Sequence, residues 1–129
     1  MESNNLKGIS PEVILKVIIE FYRKAANDFL IGYHFHRIED FSKHIPKIAS
    51  FWEIQLNGTS KATGHKFNLN SSHLPLQIRR GQIGRWKVLF IETLSSFEKN
   101  QELNTIQREL WQKKMEGLAE KMENFIFSS

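Results

Sequence analysis

Few residues in this chain can do chemistry, and that scarcity narrows the choice. There is no cysteine, which excludes disulfides, zinc–thiolate sites, iron–sulfur clusters and thiol catalysis. Imidazoles remain. Of the five histidines, His73 has the most unusual setting, in the stretch SSHLPLQIRRGQIGRW over 71–86. It precedes Leu74-Pro75, and the residue before a proline is pushed out of the α region, so a helix carrying His73 must end there. An imidazole held at such an end stands at the mouth of a pocket, where it can be offered to a metal. Trp86, on the first turns of the next apolar helix, helps line the opposite side. Single histidines are more often surface or satisfied core residues, so the rest of the chain must carry the reading. Tyr22 is a second candidate. It lies on an apolar stripe, and a buried phenol must find a backbone carbonyl or face a cavity.

The elements that would position these residues are helices. Ser10-Pro11-Glu12 supplies an N-cap, a proline at the first helical position and an acid in the first turn. Ile14, Val17, Ile18, Phe21, Tyr22 and Ala25 follow with three- and four-residue steps, predicting a helix to about 27–28. Residues 29–38, FLIGYHFHRI, suit a short helix or turn, with a bend at Gly32 and Phe35 buried. Asp40 can cap a second long helix to about Leu56, whose apolar face runs Phe41, His44, Ile48, Phe51, Trp52 and Gln55 or Leu56. Pro46 leaves two possibilities: a start near Ile45, or a start at Asp40 with a kink. Residues 57–72 form a long polar loop leading to His73, which Ser71 or Ser72 could precede as a cap. A third long helix is expected over 81–97, with Ile83, Trp86, Leu89, Phe90, Thr93, Leu94 and Phe97 facing in. A fourth is expected over 101–125, with Leu103, Ile106, Leu110, Leu118, Met122 and Phe125 facing in and Gly117 permitting a close crossing. No strand pattern occurs. The fold class is all-α.

At 129 residues, 40% hydrophobic and 25% charged, the chain suits one globular domain over 1–129. The ordered core is expected at about 10–126, after a polar tail over 1–9. Ten Phe, three Trp and two Tyr suit an ordinary core, or a small domain wrapped around something flat and apolar. The net charge of +4 is spread among interleaved Lys, Arg and Glu, which points to solvated helix faces and away from nucleic acid. The longest apolar run, Val13 to Ile19, is broken by Lys16 and is far short of the roughly 20 residues a membrane span needs. The start, MESNNLKGIS, has no signal-peptide core, so a cytoplasmic location is expected.

Five pieces stand in a telling order: FY (21–22), GxxF (32–35), H-x-x-x-I-x-x-FW (44–52), HLPL (73–76) and W-x-x-L-F-x-E-T (86–93). Together they resemble the truncated haemoglobins of group III, over about residues 10–125. The resemblance implies a two-over-two helical sandwich enclosing haem b. It makes His73 the proximal iron ligand, Tyr22 and Trp86 the distal polar residues, and His44 the distal histidine. Phe35 would pack on the haem, and Ile48 and Trp52 would wall the pocket. It also implies dioxygen, carbon monoxide and nitric oxide as ligands, a reductase as a candidate partner, and a monomer or weak dimer. Lys47, Arg79 and Arg80 are candidates to meet the haem propionates, with solvated surface charge an equal alternative. The chain departs from the family pattern at Ala62-Thr63-Gly64, where a Tyr-x-Gly is common, and at Lys87, where a hydrophobic residue is usual. Redox chemistry on dioxygen, nitric oxide or peroxide is expected rather than bulk oxygen transport, with NO dioxygenase-like and peroxidase-like reactions as the candidate enzymatic roles. The alternative is a haem-free globin-like sensor or interaction module.

Overall fold

The computed structural model describes residues 8–36, 41–58 and 80–127. Five helices occur among them: α1 (Pro11–Ala26), α2 (Gly32–His36), α3 (Phe41–Asn57), α4 (Arg80–Lys99) and α5 (Thr105–Phe127). No strand is present among the described residues. α1 packs on α3 and α4 on α5. The two pairs meet where α1 crosses α4 and α3 crosses α5. This is the two-over-two sandwich. None of the helices in the described residues is long and apolar enough to cross a membrane.

α1 begins where Ser10 Oγ accepts the Val13 N–H at 3.2 Å, with Pro11 at its first position. Its stripe of Ile14, Val17, Ile18, Phe21, Tyr22 and Ala25 is buried. Ile9, just before it, joins the core. Ile9 is 3% exposed. The Asn57 amide, at the end of α3, grips Ile9 on both sides: Oδ1 accepts its N–H at 2.9 Å and Nδ2 donates to its carbonyl at 2.8 Å. Gln107 of α5 donates to the Gly8 carbonyl at 2.9 Å.

α2 is set by the end of α1. A Cβ on Gly32 would stand 2.8 Å from the Ala26 carbonyl oxygen, so only glycine allows this approach. The Asp28 carboxylate holds the intervening turn, accepting the Leu30 and Ile31 N–H groups at 2.9 and 3.1 Å and the Arg85 guanidinium of α4 at 2.7 Å. That guanidinium keeps the Asp28 carboxyl below the usual carboxylate range.

α3 starts at Phe41 and carries Pro46 within it. Of the two starts that Pro46 allows, the earlier is the one adopted; Asp40, expected to cap it, falls outside the described residues. α5 starts at Thr105, four residues later than its apolar pattern suggests. The chain first closes α4 with Gln101 at φ 66°, while the Glu102 and Gln101 N–H groups bond back to the Phe97 and Glu98 carbonyls. Asn104 and Gln107 then cap α5 reciprocally, each side chain accepting the other's backbone N–H. The inner face of α5 differs from expectation in part. Leu103 and Met122 are buried as expected, but so are Trp111, Met115 and Ala119, whereas Ile106 is 59% exposed. Gly117 is exposed and would meet nothing within 4 Å if given a side chain, so it marks no close crossing.

Candidate functional site

The site is built on one pairing of helices. α1 and α3 run antiparallel, with Ile9 opposite Asn57 at one end and Tyr22 opposite His44 at the other. Tyr22 Oη and His44 Nε2 lie 2.9 Å apart. Tyr22 is buried and His44 half-buried. The sequence left Tyr22 a choice between a carbonyl and a cavity; it takes a side-chain imidazole instead. His44, whose direction Pro46 made hard to read, points inward to it.

The proton in this bond can be assigned. Burial pushes the Tyr22 hydroxyl far above the usual phenol range, because an anion there would lose its hydration. The phenol therefore keeps its proton. His44 Nε2 is its hydrogen-bond partner among the described residues. Were Nε2–H the donor, the phenolic hydrogen would be left buried with no acceptor, at a cost of about 1–3 kcal/mol. Tyr22 O–H thus donates to Nε2.

Aromatic rings enclose the pair. Phe35 and Phe41 stand edge-on to Tyr22 at 5.1 and 5.6 Å between centroids. Phe21 touches Tyr22 at 5.8 Å, Phe35 at 6.0 Å and Trp86 at 6.1 Å. Phe35, half-buried, reaches this place because Asp28 and Gly32 fix the turn and α2. His34, also on α2, helps: its Nε2 meets Gln82 Oε1 of α4 at 3.0 Å, while the Gln82 amide nitrogen donates to the Leu30 carbonyl. Trp86 is half-buried on α4 and packs on Phe21 and Phe90.

The other expected residues are more dispersed. Ile48 is buried on α3 one turn beyond His44. Trp52 lies deeper, packed on Phe90 at 5.6 Å and on Trp111 at 5.8 Å. Lys47 is exposed. His73 and Arg79 lie outside the described residues, as do Ser71 and Ser72; of Arg80, only its place at the start of α4 is described. Among the described residues no three His, Asp or Glu side chains cluster as a metal site. Sequence reasoning placed Phe21 and Phe41 on inward stripes but gave them no part in the site. Phe21 is its hub, and the FY pair at 21–22 was the available signal. Trp111 was missed altogether.

A buried phenol O–H and an imidazole lie together among phenylalanine rings, with the Trp86 indole reaching them through Phe21, a lining that suits a flat apolar group. No family model and no curated protein matches the chain. A solved structure is similar to it, that of a group III truncated haemoglobin from Campylobacter jejuni. The likeness has a TM-score of 0.79 and covers 95% of this chain and 94% of that one, at 23% identity. The chain has the two-over-two fold of a group III truncated haemoglobin.

Proposed function

We propose that the chain is a haem-binding truncated globin that takes up dioxygen and other diatomic molecules for redox chemistry rather than for bulk transport. The observation that carries this reading is the bond between buried Tyr22 and half-buried His44, ringed by Phe21, Phe35 and Phe41, within a fold shared with a truncated haemoglobin. Haem b held there would supply an iron atom as the docking point for dioxygen, carbon monoxide or nitric oxide.

In this reading His73 is the proximal ligand. Phe35, Ile48 and Trp52 would supply apolar surface to hold the macrocycle, and Lys47 and Arg79 would neutralise its propionates. Tyr22 holds a proton on Oη that it cannot lose at neutral pH. Its natural acceptor is His44 Nε2, so a ligand that takes this hydrogen bond competes with the imidazole. Trp86 contributes a second donor, its indole N–H, from α4. A donor aimed at partial negative charge in a dry site exceeds the roughly 1 kcal/mol of an ordinary neutral hydrogen bond. Two such donors slow ligand release, which suits reaction on the ligand and opposes delivery of it. A reductase would return the spent electrons, and the protein is taken as a cytoplasmic monomer or weak dimer.

The test is an absorption spectrum of the purified chain supplied with haem, taken ferric, reduced and with carbon monoxide. A stoichiometric Soret band that shifts on reduction and on carbon monoxide, and loses its five-coordinate ferrous form in His73→Ala, is the expected result. Absence of uptake would leave the fold without a cofactor and sink the proposal. Tyr22→Phe is expected to speed oxygen dissociation at least several-fold in stopped flow; an unchanged rate would remove Tyr22 from this role.

A further inference from the structure

The Tyr22–His44 pair has a geometry that hydrogen bonding to a ligand does not require. A buried phenol that cannot ionise is a poor one-electron donor, because the radical cation it would form is strongly acidic and has nowhere to send its proton. That barrier vanishes when a base already sits on the proton. Here the base is in place: Tyr22 Oη lies 2.9 Å from His44 Nε2. The rings around the phenol are Phe21, Phe35 and Phe41, none of which is readily oxidised. A hole on Tyr22 is therefore not drained by its immediate neighbours.

We infer that Tyr22 and His44 form a proton-coupled electron donor, with which the protein reduces hydroperoxides. This rests on the haem reading above and extends it. In the step, the phenolic O–H bond breaks, its proton passes to His44 Nε2, and its electron goes to the peroxide through the haem. Hydrogen peroxide needs two electrons and two protons to leave as two waters. A bound ferrous haem would supply one electron. Tyr22 gives the other electron, leaves its proton on His44 and becomes a neutral tyrosyl radical. Solvent gives both protons. Two equivalents of an external one-electron reductant of the ascorbate or phenol class then close the cycle: one restores Tyr22, which takes its proton back from His44, and the other would return the iron to its ferrous state. The substrate class is small hydroperoxides. Tyr22 contributes an electron as well as a hydrogen bond, and His44 serves as its proton acceptor.

The chain has two tyrosines, Tyr22 and Tyr33, and Tyr33 is 67% exposed, so a radical can be assigned by substitution. The experiment takes the full chain loaded with haem, checked first by its Soret band, reduced and mixed with hydrogen peroxide. The sample is frozen within milliseconds and read by electron paramagnetic resonance. A tyrosyl signal is expected that survives Tyr33→Phe and is lost in Tyr22→Phe. In His44→Ala the radical should form about a hundredfold more slowly, the scale of losing a positioned base, and added imidazole should restore the rate. A signal that persists in Tyr22→Phe, a tryptophanyl signal in its place, or an unchanged rate in His44→Ala would overturn the inference. If no Soret band forms, the haem reading fails by itself. The pair is then read in the haem-free chain carrying Tyr33→Phe, by flash oxidation with a ruthenium tris-bipyridyl oxidant. A tyrosyl signal removed by Tyr22→Phe is expected there, and none would overturn the inference there too.

Discussion

Around Trp111 and around Tyr22 the chain packs the same kind of ring at the same spacing, yet the two places treat their polar atoms differently. Trp111 is fully buried among Trp52, Phe90 and Met115, and its indole N–H has no hydrogen-bond partner among the described residues. The fold accepts an orphaned donor there for the sake of a large ring in the centre. Around Tyr22 the polar atom is paired, the partner is a titratable imidazole, and the enclosing side chains are half-buried Phe35, Phe41 and His44. Burial of an unpaired N–H costs about 1–3 kcal/mol, which a protein tolerates where packing gains exceed it. A paired phenol and imidazole satisfy one another but pack less tightly than a tryptophan. The first place is a packing centre and the second a paired polar site, and Phe21 and Phe90, 4.7 Å apart, join them.

The contrast can be broken by substitution. Trp111→Ala should cost about 3–5 kcal/mol in denaturant unfolding, the range for truncating a fully buried aromatic. Tyr22→Phe should cost less, about 1–3 kcal/mol, because it keeps the ring and leaves His44 Nε2 without its donor. Equal costs at the two positions would mean that Tyr22 is simply core. Alkaline pH should separate them further. Tyr22 holds its proton more tightly folded than unfolded. Above the ordinary phenol range the unfolded chain therefore binds fewer protons than the folded one, and stability falls as pH rises. The contribution is complete below that range and is lost as pH rises through the folded value, with a slope of at most about 1.4 kcal/mol per pH unit. Unfolding curves from neutral to strongly alkaline pH should show this slope in the parent and lose that share in Tyr22→Phe; an identical slope in both would refute the burial argument. The smallest effect is expected at Ile106, which belongs to neither place. Ile106→Ser should change stability by no more than about 0.5 kcal/mol, and a larger loss would put it in the core.

Local signals carried most of the helices. The Ser10-Pro11-Glu12 start and the α1 stripe were legible because capping and amphipathic spacing are properties of a few neighbouring residues. α5 was harder. It has apolar residues in adjacent pairs, Leu110 with Trp111 and Leu118 with Ala119, so two stripes fit its sequence almost equally well. The one through Ile106, Leu110 and Leu118 is the less buried of the two. Only the packing of Trp111 against Trp52 and Phe90 decides between them. The late start of α5 was in fact written in the sequence as Asn104 and Gln107, a capping box displaced from the apolar run. The individual site residues could be named, but the bond between Tyr22 and His44 could not. It depends on the register of α1 against α3 over 22 residues of separation, and no local pattern encodes a register between antiparallel helices. The turn at Asp28 shows the same limit, since Arg85 comes to it from a distant helix.

The grip of Asn57 on Ile9 bears on how the protein breathes. The Ile9 N–H belongs to no helix, and a backbone amide in such a place ordinarily trades its hydrogen with solvent within moments. Here it is bonded to a side chain that itself closes the far end of the α1–α3 pairing. Its exchange in heavy water should therefore proceed in step with the interior amides of α1, and report the parting of two helices from a position outside both. One amide signal thus serves as a gauge of how often the end opposite Tyr22 and His44 comes open.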